Sequence, residues 1–172
     1  MIIREATHED LNQLWTLKAR FRAEARALQP EVKDRGVFKD LYRVMGWLLD
    51  PNEARILVAE FEGGLVGYVQ LVSANYIGDN PNGICSEGLY VLPEHRGSKV
   101  ALMLWKAAEA KVRSLAPVAF QISVSENNAP MHRLAVRRGF KPIAVIYQQE
   151  VEQDEQRIER REELQETERA RL

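Results

Sequence analysis

At 172 residues, 45% of them apolar, the chain has the length of one domain and enough apolar side chain for one core. Charged residues make up 28% and the formal net charge is -1, an ordinary globular balance without the broad basic field of a general nucleic-acid binder. A single cysteine, Cys85, rules out an internal disulfide and points to a reducing compartment.

Residues 1–6 lack the charged-then-apolar plan of a signal peptide and read instead as a short first strand. No apolar run approaches the roughly 20 residues that span a bilayer, so the expectation is a cytoplasmic protein with no membrane contact. Thr7 and Asp10 have capping-box spacing, with the acid in a positive first turn. Apolar side chains at Leu11, Leu14, Trp15, Phe21, Ala25 and Leu28 then follow a helical period until Pro30. A second helix is expected from Asp34, with Val37, Phe38, Leu41, Met45, Leu48 and Leu49 inward, closing at Asp50-Pro51-Asn52.

The period then shortens to that of strands. Ile56 to Phe61 and Leu65 to Val72 flank Glu62-Gly63-Gly64 and predict a hairpin. A loop rich in Asn, Gly, Asp and Pro runs from Asn75 to Gly83, either a specificity loop or a bare connector. Ser86 to Leu92 is the next strand, stopped by Pro93. The helical period returns at Ala101, Leu104, Trp105, Ala108, Val112 and Leu115, with Glu109 four residues before Arg113. Trp15, Trp47 and Trp105 all sit at core-facing positions. Val118 to Val124 reads as a strand. Asn128 can cap a short helix carrying Met131, Leu134 and Ala135, which ends at Gly139. Pro142 to Val151 is a last strand.

The resulting order, β-α-α-β-β-β-α-β-α-β, predicts an α/β (α+β) fold with a mixed central sheet and helices on both faces. Two regions are expected: one domain over 1–151 and a charged helical or disordered tail over 152–172. Val151, Ile158, Leu164 and Leu172 are spaced too unevenly for a coiled coil. That tail is either solvated or docked on a partner subunit, which leaves room for a homodimer.

The stretch Leu89 to Ala101 runs strand, tight polar turn and helix start in immediate succession. A helix N-terminus offers unpaired N–H groups and about half a positive charge, so a turn opening into it can hold an anion. Gly97 allows close backbone approach, Arg96 and Lys99 are cationic, and Ser98 carries a hydroxyl. Physics alone leaves two readings, a phosphate cradle or a plain turn. A triphosphate-binding P-loop is absent.

This stretch resembles the acetyl-CoA signature of the GNAT superfamily, a Leu-x-Val-x-Pro strand followed by Arg-Gly-x-Gly-x-Gly/Ala. Leu89, Val91 and Pro93 match the strand, and Arg96, Gly97 and Ala101 match the loop; Lys99 stands where the pattern has its middle Gly. Downstream, Asn128-Ala129-Pro130-Met131-His132-Arg133-Leu134 and then Arg138-Gly139-Phe140 resemble the closing Asn-x-x-Ala and Gly-Phe motif of the same superfamily. The resemblance implies a GNAT-type sheet and an acetyl-CoA-dependent N-acetyltransferase. The acceptor would be a small-molecule amine or a protein amino group, attacking directly in a ternary complex.

It further implies that Leu89, Tyr90, Val91, Arg96, Gly97, Ser98, Lys99, Val100 and Ala101 bind the cosubstrate, with Asn128 on its pantetheine arm. Strands that splay apart would leave Leu89 to Val91 and Ile122 to Ser125 free for that arm. Glu87 precedes the loop on its strand and, if alternation holds, shares a face with Leu89 and Val91. A carboxylate there serves either as the general base or as a binding group for a cationic acceptor. The general-acid Tyr common in the superfamily is Ala135 here; His132, Tyr147 or water would then protonate the thiolate. His8, His95 and His132 lack metal-ligand spacing, so no metal is expected. Two alternatives stay open: a catalytically degenerate CoA-binding module, and an interaction protein acting through its tail.

Overall fold

The computed structural model describes residues 1–28, 54–74, 83–117 and 119–143. The expected helix from Asp34, the loop after Asn75, most of the last strand with Tyr147, and the tail lie outside the described residues. The described residues between Met1 and Phe140 belong to one compact unit.

In this unit the elements are β1 (Ile2–Glu5), α1 (Leu11–Leu28), β2 (Ala54–Phe61), β3 (Gly64–Ala74), β4 (Gly83–Val91), α2 (Val100–Leu115), β5 (Ala119–Ile122) and α3 (Ala129–Arg137). The five strands lie side by side in chain order. The first four are antiparallel neighbours, and β5 runs parallel to β4. This is the mixed sheet with covered faces that the element order predicts.

Burial on both faces explains the composition of β2, where Ile56-Leu57-Val58-Ala59 is apolar without alternation. Ile56 and Val58 join Leu65, Tyr68 and Tyr90 under Leu14, Leu17 and Phe21 of α1. Leu57 and Ala59 join Val66, Val69, Leu71 and Val91 under Val100, Leu104, Ala108 and Val112 of α2. Trp105 is fully buried as expected, whereas Trp15 is only half-buried and Leu115 is exposed.

Two termini are held by polar contacts. Asp10 accepts bonds from the Thr7 amide at 2.7 Å and from both Nη atoms of Arg4 at 2.7 and 2.8 Å. At the far end, Gly139 takes φ +83°; its N–H donates to Val136 and the Phe140 N–H to Ala135. That is the Schellman arrangement, which needs a left-handed residue. It returns Phe140 onto Trp105 and Phe120, with ring centroids at 5.7 and 5.3 Å. Glu109 does not serve the expected pair with Arg113. Its carboxylate takes the Trp105 indole N–H at 2.6 Å and reaches Arg138 at 3.6 Å, tying α2 to the end of α3.

Candidate active site

The site begins where β4 loses its partner on one side. β4 pairs with β5 only from Gly83↔Ala119 to Ser86↔Ile122, yet continues to Val91 along β3. Beyond Ser86 the two parallel strands therefore part, with residues 87–91 on one arm and 123–128 on the other. The same point carries a bulge. The β3–β4 register steps from Gln70↔Gly88 to Leu71↔Ser86, which makes Glu87 the surplus residue. A bulge bends its strand and increases the local twist.

The bulge overturns the alternation expected for Glu87. Leu89 and Val91 pack into the cluster under α2. The Glu87 carboxylate instead accepts a bond from Gln70 Nε2 at 2.8 Å. Gln70 lies between Val69 and Leu71, so it points to the α1 side, where Lys18 Nζ donates to its Oε1 at 2.5 Å. Gln70 is 2% exposed and Lys18 9%. A buried amide thus spans a cation and a carboxylate, each end bonded to the sign it suits. Glu87 itself is exposed.

The expected cosubstrate loop follows directly. Pro93–His95 form one 3-10 turn, and Arg96, Gly97, Ser98 and Lys99 lead into α2. Gly97 has φ +74°, and a Cβ built there meets no atom within 4 Å. Lys99, in place of the pattern's middle Gly, has φ -79°. The loop thus requires no glycine at that position. Ser98 Oγ donates to the His95 carbonyl at 2.5 Å and is 3.4 Å from the Val100 amide. Among the described residues, the amides of Gly97, Ser98 and Lys99 meet no protein acceptor. Together with the first turn of α2 they form a set of N–H groups at the positive end of a 16-residue helix.

Side chains of the predicted binding residues divide by role. Val100 is 2% exposed and belongs to the core, so only its backbone is available to a ligand. Leu89 and Val91 likewise offer backbone alone. The Tyr90 ring faces α1 and stacks edgewise on Phe21 at 5.9 Å. Its hydroxyl donates to Glu24 at 2.8 Å. Burial, with the Glu24 carboxylate beside it, pushes this phenol above its ordinary range. Arg96 is exposed yet bonded at both ends of its guanidinium. Nε donates to the Val91 carbonyl at 2.9 Å, and Nη2 to both oxygens of Glu24 at 2.8 and 2.6 Å.

On the second arm, Asn128 Oδ1 accepts from the Met131 amide at 3.2 Å and so caps α3. His132 is exposed, with Nε2 3.1 Å from the Ser125 carbonyl. A carbonyl only accepts, so Nε2 carries the hydrogen of that bond. Glu87 and the 97–99 loop lie on the β4 arm, Asn128 and His132 past the β5 arm; Tyr147 lies outside the described residues. Cys85 is buried and 3.9 Å from Ser123 Oγ, and burial raises its thiol pKa, as for a packed rather than reactive thiol. Among the described residues no group of His, Cys, Asp and Glu is placed to hold a metal. No helix among them is long and apolar enough to cross a membrane.

Glu24, Lys18 and Gln70 escaped sequence reasoning. Lys18 and Glu24 sit in a helix of mixed charges, and Gln70 is an isolated polar residue in a strand. None has a motif; only the pairing of α1 with β3 and β4 brings them to the bulge and the loop.

Residues 11–140 match the acetyltransferase (GNAT) family. Among proteins with curated functions, none matches. Among solved structures, the aminoglycoside N-acetyltransferase AAC(6')-Iy in complex with CoA is 19% identical with a TM-score of 0.68, covering 87% of this chain and 93% of that one. The aminoglycoside antibiotic 6'-N-acetyltransferase AAC(6')-IG from Acinetobacter haemolyticus is 20% identical with a TM-score of 0.65, over 88% and 100% of the two chains. A tetramutant of the BH1408 protein from Bacillus halodurans is 16% identical with a TM-score of 0.70, over 88% and 100%. At these identities the likeness establishes the fold.

Proposed function

The chain belongs to the acetyltransferase (GNAT) family, and from that premise we propose direct transfer of an acetyl group from acetyl-CoA to a primary amine on a small molecule or a protein. Membership makes it an acyltransferase with acetyl-CoA as cosubstrate. One observation carries the finer reading: the fork between β4 and β5 opens at Glu87, with the Gly97 loop on one arm and Asn128 past the other.

The residues present fit a diphosphate with a thioester arm. The open left-handed Gly97 and the amides through Lys99 suit the diphosphate. Backbone of Leu89 to Val91 and of Ile122 to Ser125 suits the arm, with Asn128 near its path. Acetyl-CoA supplies an activated thioester, whose carbonyl carbon gains the amine nitrogen as its bond to sulfur breaks. Glu87, held at one oxygen by Gln70, takes the ammonium proton through water and restores a nucleophilic lone pair. The bulge places that carboxylate beside the fork rather than under α2. His132 is exposed and its Nε2 is engaged by the Ser125 carbonyl, so we assign protonation of the departing thiolate to solvent. A thiol pKa of roughly 8.5 makes that tolerable.

Thiol release from acetyl-CoA across a panel of primary amines tests this. Amine-dependent release, with N-acetylated product by mass spectrometry, is expected. Calorimetric CoA binding with no release for any amine would instead favour a binding module without catalysis, the reading that Ala135 in place of the usual Tyr supports.

A further inference from the structure

We propose that Glu24 is a positioning residue for acetyl-CoA, acting on the diphosphate loop through Arg96; this rests on the reading that the Gly97 loop binds the diphosphate. Arg20 and Glu24 stand one helical turn apart on α1 and meet Glu94 and Arg96, two residues apart around the start of that loop. The pairs have opposite polarity. Arg20 to Glu94 is long, at 4.0 Å, with both side chains more than half exposed, and contributes little.

Glu24 to Arg96 is different. Both carboxylate oxygens accept from Nη2, at 2.8 and 2.6 Å, and Tyr90 Oη donates to Glu24 Oε1 at 2.8 Å. The guanidinium lies 5.4 Å from the Tyr90 ring centroid, and its Nε closes back on the Val91 carbonyl at 2.9 Å. Helix α1, the end of β4 and the first loop residue are thereby joined through one side chain. Arg96 has its charge balanced by Glu24, so it contributes loop shape more than attraction for an anion.

This assignment predicts a sign opposite to simple electrostatics. Removing a carboxylate near an anion site should tighten anion binding if only the field mattered. If Glu24 orders the loop, its removal weakens CoA instead. The test is calorimetry with CoA and with pantetheine, which lacks the diphosphate, on wild type, Glu24→Ala, Arg96→Ala and the double variant. Glu24→Ala should raise the Kd for CoA by about three- to tenfold, the size of one well-formed partly exposed ion pair. Arg96→Ala should match it, the double variant should be no weaker than either single one, and pantetheine should bind all four alike.

Unchanged or tighter CoA binding in Glu24→Ala overturns the inference, as does equal weakening of pantetheine. An Arg96→Ala loss that adds to that of Glu24→Ala also overturns it, because Arg96 would then contact the diphosphate itself. Tyr90→Phe removes only the hydroxyl bond to Glu24 and, with a melting curve for each protein, supplies a milder variant if an alanine disrupts folding. Wild type that fails to bind CoA defeats the loop reading as a whole; normal wild-type binding with an indifferent Glu24 defeats this inference alone.

Discussion

Replacing Gly97 by Ala and Lys99 by Gly moves the glycine content of one loop in opposite directions, and both should be harmful. At Gly97 the backbone is left-handed, φ +74°, but a Cβ meets no atom within 4 Å. The cost is therefore conformational rather than a clash. An L-residue in that region costs about 1–2 kcal/mol, and the smaller freedom of the unfolded chain offsets about 0.4–1 kcal/mol. The net, about 0.5–1 kcal/mol, lowers Tm by roughly 1–4 °C for a chain of this size. A loop that relieves the strain by rotating a peptide turns an amide away from the diphosphate, so CoA affinity should fall by about tenfold, or 1.4 kcal/mol. At Lys99, φ is already -79°, so glycine relieves nothing, adds about 0.5–1 kcal/mol of backbone entropy cost and removes a cation. CoA binding should weaken most at low salt. Thermal melting with and without CoA, plus calorimetry at two ionic strengths, reads both effects. Tighter CoA binding by Lys99→Gly, or a Gly97→Ala protein identical to wild type in both measurements, would refute the loop argument.

Glu87→Gln should lower kcat/KM by about a hundredfold or more while CoA binding, measured by calorimetry, is unaffected; a rate within a few-fold of wild type would remove Glu87 as the base. On the proposal that solvent protonates the thiolate, His132→Ala should leave kcat within about threefold; a much larger loss in steady-state assays would restore it as the acid. Arg4 bonding holds the Asp10 carboxyl below its ordinary value, so the folded state binds its proton less readily than the unfolded chain. That stabilisation is complete above the unfolded pKa of about 4 and is lost as pH falls through the lower folded value. Acid melting of wild type should steepen there, and Asp10→Asn should flatten the dependence. At Gly67 a Cβ would lie 2.7 Å from the Tyr90 carbonyl and 3.2 Å from Leu104 and Val91 side chains. Gly67→Ala should therefore cost about 1–3 kcal/mol, seen as a lower urea midpoint.

The parts of the fold with a period were legible. Helix α2 follows from Leu104, Trp105, Ala108 and Val112, the hairpin from Glu62-Gly63, and the α3 end from Gly139. The strand, turn and helix start from Leu89 to Ala101 were legible from Pro93, Gly97 and the returning helical period, while physics alone left the turn either an anion cradle or a plain turn. The direction of Glu87 was not, since alternation assumes an unbroken ladder and the slip at Gln70/Leu71 has no composition of its own. The partner of Arg96 was hidden for another reason: Glu24 lies 72 residues away, and only packing of α1 on the sheet selects it from several acids. Beginnings and ends moved where a strand has neighbours on both sides. β4 starts at Gly83 rather than Ser86 because Gly83, Ile84 and Cys85 pair with both β3 and β5.

The bulge and the fork share a residue, and one cause suffices for both. On its β3 side, β4 carries one residue more than its partner at Glu87; on its β5 side, the last paired position is Ser86. Extra twist at a bulge rotates the following residues, and a strand rotated about one neighbour leaves the plane of the other. β5 is therefore left behind after Ile122, and the arms separate. The same rotation turns the Glu87 carboxylate off the α2 face and onto Gln70. An uninterrupted β3–β4 register would send Glu87 toward the α2 side and remove the cause of the fork, so on the function proposed above both the donor arm and the base depend on a single inserted residue.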